Sequence, residues 1–191
     1  MSHRRRRWPF RWRGTFACFW GWVDIVAGRG IYTGTALQLV DDKSRVSIPA
    51  KFRDAIIANS DPETLKGGAS VRINVHHKYQ CLVGYDQARF EEEIARATAT
   101  SLERTDENGD PDDSQLRRLS GGGETIGFDS TGRCVLVGWH KRKANITKHA
   151  FFYGSIHYFE IWDPETLLAD PHAPEVMKDA CRGALEEKGL S

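Results

Sequence analysis

The motifs that announce metal, nucleotide or redox chemistry are missing from this 191-residue chain. Its four cysteines, Cys18, Cys81, Cys134 and Cys181, lie 63, 53 and 47 residues apart, and no CxxC occurs. That spacing argues against a zinc finger and against a small disulfide framework, and it suits a reducing compartment. There is no P-loop, no GxGxxG and no nucleophile motif. His140, His149 and His157 lack the i, i+4 spacing of a helical metal pair. His76 and His77, placed on a strand, would point to opposite faces, one packed and one solvated, and could not share a metal. No catalytic residue, metal site or cofactor is expected, and the chain reads as a non-enzyme.

Long hydrophobic runs are also lacking. The longest, Thr15 to Val23, falls well short of the about 20 residues that a membrane span requires. Nor is there an excess of one charge: 27 Lys+Arg face 26 Asp+Glu, a net of +1. The distribution is uneven. Residues 1–30 hold seven Arg and one Asp, which leaves 20 basic and 25 acidic residues in 31–191. Bulk positive charge therefore cannot drive the body onto a polyanion.

Three readings of residues 1–30 compete. Arg4–Arg7 ahead of an apolar run resembles a secretory signal, but Asp24 closes the run early and Val26-Ala27-Gly28 is a poor cleavage site. Trp8, Trp12, Trp20 and Trp22 among the arginines would suit a nucleic-acid-gripping arm. The preferred reading is a disordered leader or an upstream start-codon extension, because the tryptophans follow no helical or strand period.

What is present in the body is an internal repeat. Asp41-Asp42-Lys43-Ser44-Arg45 matches Asp129-Ser130-Thr131-Gly132-Arg133, 88 residues on. Each D-x-x-x-R follows an apolar strand-like stretch and precedes an alternating one. Cys81–Asp86 then corresponds to Tyr158–Asp163, with Asp-to-Asp spacings of 45 and 34. In each turn the Asp can accept backbone N–H groups two residues on. Pro49 opens a helix with Phe52, Ala55 and Ile56 on its apolar stripe. Val71, Ile73 and Val75 alternate as a strand, and Cys81–Tyr85 forms another. Asp86 caps a helix whose Phe90, Ile94 and Ala97 share a face, with Glu92 pairing to Arg96. Asp163-Pro164 repeats that cap. A short helix over Ser114–Leu119 precedes Gly121-Gly122-Gly123.

The turn arginines are the candidate chemistry. Arg45 and Arg133, at the ends of hairpin-like turns, can take a guanine edge or a phosphate bidentately. The plainer reading is that each pairs with its own turn carboxylate, Asp41 or Asp129.

Tyr32–Leu37 and Asp41–Arg53 resemble the start of the bacterial MraZ family. The likeness continues through Val75–His77 and Cys81–Val83, then Leu116–Gly121, Asp129–Arg133 and Phe159–Asp163, covering about residues 31–168. The resemblance implies an α+β, mainly β fold with short helices: a swapped-hairpin AbrB-type β-barrel built from two internal repeats. The implied divisions are a basic leader at 1–30, half-domain 1 at 31–84, connecting helices and an acidic loop at 85–120, half-domain 2 at 121–168 and a tail at 169–191. It further implies a cytoplasmic, nucleoid-associated homo-oligomeric ring on double-stranded DNA. Such a ring would read repeated promoter boxes upstream of the cell-wall and cell-division gene cluster. Arg45 and Arg133 would be the primary DNA residues, Lys43 a phosphate contact, and Asp41 and Asp129 the turn-shaping residues.

Two departures follow from the residues. Val137-Gly138-Trp139-His140 stands where the family has a proline-led helix, and Thr131 replaces the base that Lys43 supplies. The second turn is therefore expected to contribute less. The tail, with a helix around Val176–Lys188, is expected to be peripheral. The competing function is an AbrB-like oligomerisation or protein-interaction module without DNA binding.

Overall fold

Strands from the two sequence copies pair with each other. The computed structural model describes residues 29–190, so every reading of the leader up to residue 28 lies outside it. In chain order the elements are β1 (Thr35–Leu39), β2 (Arg45–Ser47), α1 (Ala50–Asn59), α2 (Pro62–Lys66), β3 (Ser70–Val75), β4 (Leu82–Tyr85), α3 (Gln87–Glu103) and α4 (Ser114–Gly121). The second copy follows as β5 (Gly123–Gly127), β6 (Arg133–Val135), α5 (Gly138–Lys143), β7 (His149–Gly154), β8 (Phe159–Trp162) and α6 (Pro164–Ala169), then α7 (Glu175–Glu187).

Six strands form one antiparallel sheet in the order β1-β7-β8-β4-β3-β5, and β2 and β6 form a separate ladder. Under the repeat, β1 to β4 map onto β5 to β8. The β1–β7 pairing is then the counterpart of β5–β3, while β4–β8 and β2–β6 are their own counterparts. Each strand of one copy thus has a partner in the other, and neither copy could satisfy its backbone alone. The fold is α+β, as expected, but not a closed barrel: among the described residues β1 and β5 end the sheet without meeting. Closure fails because the strands that carry the two turns are only three residues long and bond each other rather than the sheet.

The period-two pattern sorts side chains onto two faces. On one face Phe52, Ile56, Phe152, Phe159 and Ile161 centre the larger core, with the Phe52 and Phe159 rings stacked at 5.0 Å. Gly84 is obligatory opposite Phe159, whose ring lies 2.2 Å from where a Cβ would stand. On the other face Leu37, Phe151, Trp162 and Leu167 pack against Met177 and Cys181 of α7. The tail is therefore not a peripheral appendage: α7 buries the second face of the sheet, which would otherwise expose two large aromatics.

Local expectations fared well where a side chain bonds its own backbone. Asp86 caps α3 by accepting the Arg89 N–H at 2.8 Å, and Asp163 caps α6 through the Thr166 N–H at 3.1 Å. Phe52, Ala55 and Ile56 are the buried face of α1, with Pro49 at its cap. Three expectations change. Arg96 pairs with Glu93 at 3.2 Å, while Glu92 takes Arg89 and Arg29, because Arg29 returns from 63 residues away. His76 and His77 do not occupy opposite strand faces. β3 ends at Val75 and the chain turns, so half-buried His76 and exposed His77 stack at 4.7 Å. Finally, a helix does form after the second turn despite Gly138: α5 is held by tertiary contact, with His140 fully buried where Phe52 stands in the first copy.

Candidate nucleic-acid interface

The two D-x-x-x-R turns are built alike at the backbone. In the first, the Asp41 carbonyl accepts the Ser44 N–H at 2.8 Å, and Asp41 Oδ1 accepts the N–H groups of Lys43 and Arg45 at 2.9 Å each. In the second, the Asp129 carbonyl accepts the Gly132 N–H at 2.8 Å, and Asp129 Oδ1 accepts Thr131 N–H at 2.9 Å and Arg133 N–H at 3.0 Å. The fourth residue of each turn is left-handed, Ser44 at φ 60° and Gly132 at φ 81°. These bonds stabilise the ionised carboxylates. Asp41 is held below the usual carboxylate range chiefly by the Arg45 N–H, and Asp129 chiefly by the Thr131 hydroxyl.

At the side chains the turns differ. Arg45 Nε donates to Asp41 Oδ2 at 2.6 Å, so the first turn does contain the plain Asp–Arg pair. The outer edge of that guanidinium keeps its two terminal nitrogens for another acceptor. In the second turn the Thr131 hydroxyl donates to Asp129 Oδ1 at 2.6 Å, and Arg133 makes no ion pair among the described residues. Arg133 is exposed; Arg45 is half-buried.

The β2–β6 ladder brings the arginines together. Its antiparallel register sets Arg45 opposite Val135, Val46 opposite Cys134 and Ser47 opposite Arg133. Val46 and Cys134 are buried, so the alternate positions Arg45, Ser47, Arg133 and Val135 share the outward face. Lys43 is exposed on the adjoining turn.

Each turn is braced from the opposite copy. Arg53 of α1 donates from Nη1 to the Ser130 carbonyl at 2.6 Å, while Lys141 of α5 reaches Ser44 Oγ at 3.3 Å. Arg53 and Lys141 are 88 residues apart, the same offset as the turns, so the braces are repeat equivalents. Gly132 is required by its brace as well as by its φ: a Cβ there would lie 2.4 Å from Arg53 Cδ and 2.7 Å from the Ile48 carbonyl oxygen. Sequence reasoning missed both braces, although the 88-residue offset was the available signal. The turn arginines are accompanied by Lys141, Arg142 and Lys143 on α5, a local basic group within an acidic body.

Among the described residues no group of three or more His, Cys, Asp or Glu could hold a metal, and no helix is long and apolar enough to cross a membrane. What the arrangement offers is a narrow two-stranded ribbon with outward guanidinium groups on rigid turns, the chemistry of phosphate and base-edge recognition.

Comparison with known proteins gives the class, that of transcriptional regulators. No family model matches the chain. Curated relatives do. The transcriptional regulators MraZ of Mycobacterium avium (strain 104) and Mycobacterium leprae (strain TN) are each 33% identical over 135 residues, which is 71% of this chain and 82% of theirs. That of Mycolicibacterium vanbaalenii is 35% identical over 136 residues, 71% of this chain and 83% of its own. The chain belongs to the MraZ family of transcriptional regulators.

Proposed function

We propose that this regulator binds double-stranded DNA in a sequence-specific way through the outward face of the β2–β6 ribbon, with Arg45 and Arg133 as the base-reading residues. Lys43 serves as a phosphate contact, and Asp41 and Asp129 hold the turns in shape. The observation that carries this reading is the shared outward face of the two arginines on one ladder. A two-stranded ribbon fits the major groove, and each good bidentate arginine contact contributes about 1–3 kcal/mol of discrimination. Exposed Val135 on the same face offers an apolar contact of the kind that thymine methyl groups accept.

The interlocked copies are, on this reading, an AbrB-type swapped hairpin, and several chains close into a homo-oligomeric ring. A body with 20 basic and 25 acidic residues binds DNA poorly by bulk attraction. Several ribbons on one side of a ring act together, and linkage of this kind raises avidity by about 10²–10⁴-fold. The DNA would be repeated boxes upstream of the cell-wall and cell-division gene cluster, and the protein would reside in the cytoplasm on the nucleoid.

The acidic excess of the body favours one alternative, an oligomerisation module that holds a protein partner and no DNA. A salt series separates the two. Fluorescence anisotropy of the full chain on DNA from upstream of its own gene should show tight binding that is lost on scrambled DNA. The log–log salt slope should be near −0.9 for each phosphate neutralised. Absence of binding to either DNA at low salt would leave the interaction module standing.

A further inference from the structure

Away from the ribbon, the mouth between the β3–β4 hairpin, α3 and α4 holds a cleft of about 160 Å³ whose residues include none of the two turns. One side chain in it is anomalous. Tyr85 is 4% exposed, yet its hydroxyl has no hydrogen-bond partner among the described residues. Buried hydroxyls are normally satisfied, and an orphan in a cleft wall points to a group that completes it. Burial pushes the Tyr85 phenol up to about 12, so it stays a donor at neutral pH.

Two further polar groups of the cleft, on His76 and Arg118, are donors. His76 Nδ1 accepts the N–H groups of Lys78 and Tyr79 at 3.0 Å each. The ring is therefore the tautomer with its hydrogen on Nε2. Arg118, exposed on α4, makes no ion pair among the described residues. The carboxylate and amide oxygens that line it, by contrast, are committed. Glu93 takes Arg89 at 2.5 Å and Arg96 at 3.2 Å, and Asn74 Oδ1 takes Arg72 at 3.1 Å. With Arg89 balanced by Glu93, the cleft retains one uncompensated positive charge, at Arg118. Val75, Val83 and Leu119 supply apolar wall. Donors at one end, apolar surface beside them and a net positive charge select an anion with a hydrophobic body.

We propose that this cleft binds a small organic carboxylate, its anionic head on the Tyr85 hydroxyl and the Arg118 guanidinium and its apolar body against Val75, Val83 and Leu119. The site stands independently of the DNA-binding reading, since it shares no residue with the turns.

Calorimetric titration of the full chain with sodium benzoate tests it, with benzamidine as the ring of opposite charge and inorganic phosphate as the anion without a body. Saturable benzoate binding is expected, with little from either control. Tyr85→Phe keeps the packing and removes the hydroxyl; Arg118→Gln changes an exposed position that the fold does not need. Each should weaken benzoate about tenfold. Three results would overturn the proposal: no saturable benzoate binding to about 10 mM, equal binding of benzamidine or phosphate, or benzoate affinity unchanged by Arg118→Gln. A change of oligomeric state in Arg118→Gln without a change in benzoate binding would also overturn it and assign the cleft to a second copy.

Discussion

The first and second turns share a backbone and differ in what their arginines are doing. Arg45 is tethered through Nε to Asp41 Oδ2 with its terminal nitrogens outward, whereas Asp129 receives the Thr131 hydroxyl on Oδ1 and Arg133 projects unpaired among the described residues. A solvent-exposed pair of this kind adds little to stability. Its effect lies in orientation. A tethered guanidinium has already lost rotamer freedom, a cost of up to about 2 kcal/mol that an untethered arginine meets on binding. The same D-x-x-x-R spacing therefore yields one pre-organised guanidinium and one adaptable one.

The largest effect on the fold should come from the brace. Gly132→Ala meets both a positive φ and the Arg53 side chain, and should destabilise by roughly 1–3 kcal/mol in chemical denaturation. Ser44→Gly at the equivalent position should be near neutral, since relief of the left-handed strain offsets loss of the Lys141 contact. Equal losses at the two positions would show that the braces are not what sets the turns apart.

Next in size is the tether itself. Asp41→Asn should weaken DNA binding about fivefold, whereas Asp129→Asn, which holds no arginine side chain, should leave affinity nearly unchanged. Both carboxylates are depressed in the folded chain. Their contribution to stability is thus full above the ordinary Asp value of about 3.9 and is lost as pH falls through the lower folded value. Thermal melts should hold down to about pH 4 and fall below it, less steeply in either Asn variant. A variant that melts as steeply as the parent in acid would remove that carboxylate from the account.

The smallest change restores a base to the second turn. Thr131→Lys should deepen the log–log salt slope by about 0.9 and raise affinity modestly at low salt. An unchanged slope would place the second turn away from phosphate.

How much of this was legible in the sequence depended on range. The caps at Asp86 and Asp163 and the two turns were readable because each is a side chain bonding backbone within four residues. The β2–β6 register, which puts the two arginines on one face, joins residues about 90 apart and buries Val46 with Cys134, which no local pattern reveals. Glycine is a poor helix former, but burial of His140 in the position of Phe52 outweighs Gly138 at the start of α5. The tail lies beyond the span of the family likeness, so nothing in the sequence ties Met177 and Cys181 to the sheet. Their partners, Phe151 and Trp162, sit on the back of strands whose front is also buried.

Arg45→Ala and Arg133→Ala, compared by anisotropy on DNA from upstream of the gene at several salt concentrations, test the central claim most directly. Both variants should fold as the parent does. Arg45→Ala should lose about 1–3 kcal/mol of specific binding and Arg133→Ala distinctly less, with scrambled DNA bound weakly by all three. Equal losses, or a larger loss at Arg133, would contradict the account and make the untethered arginine the principal reader.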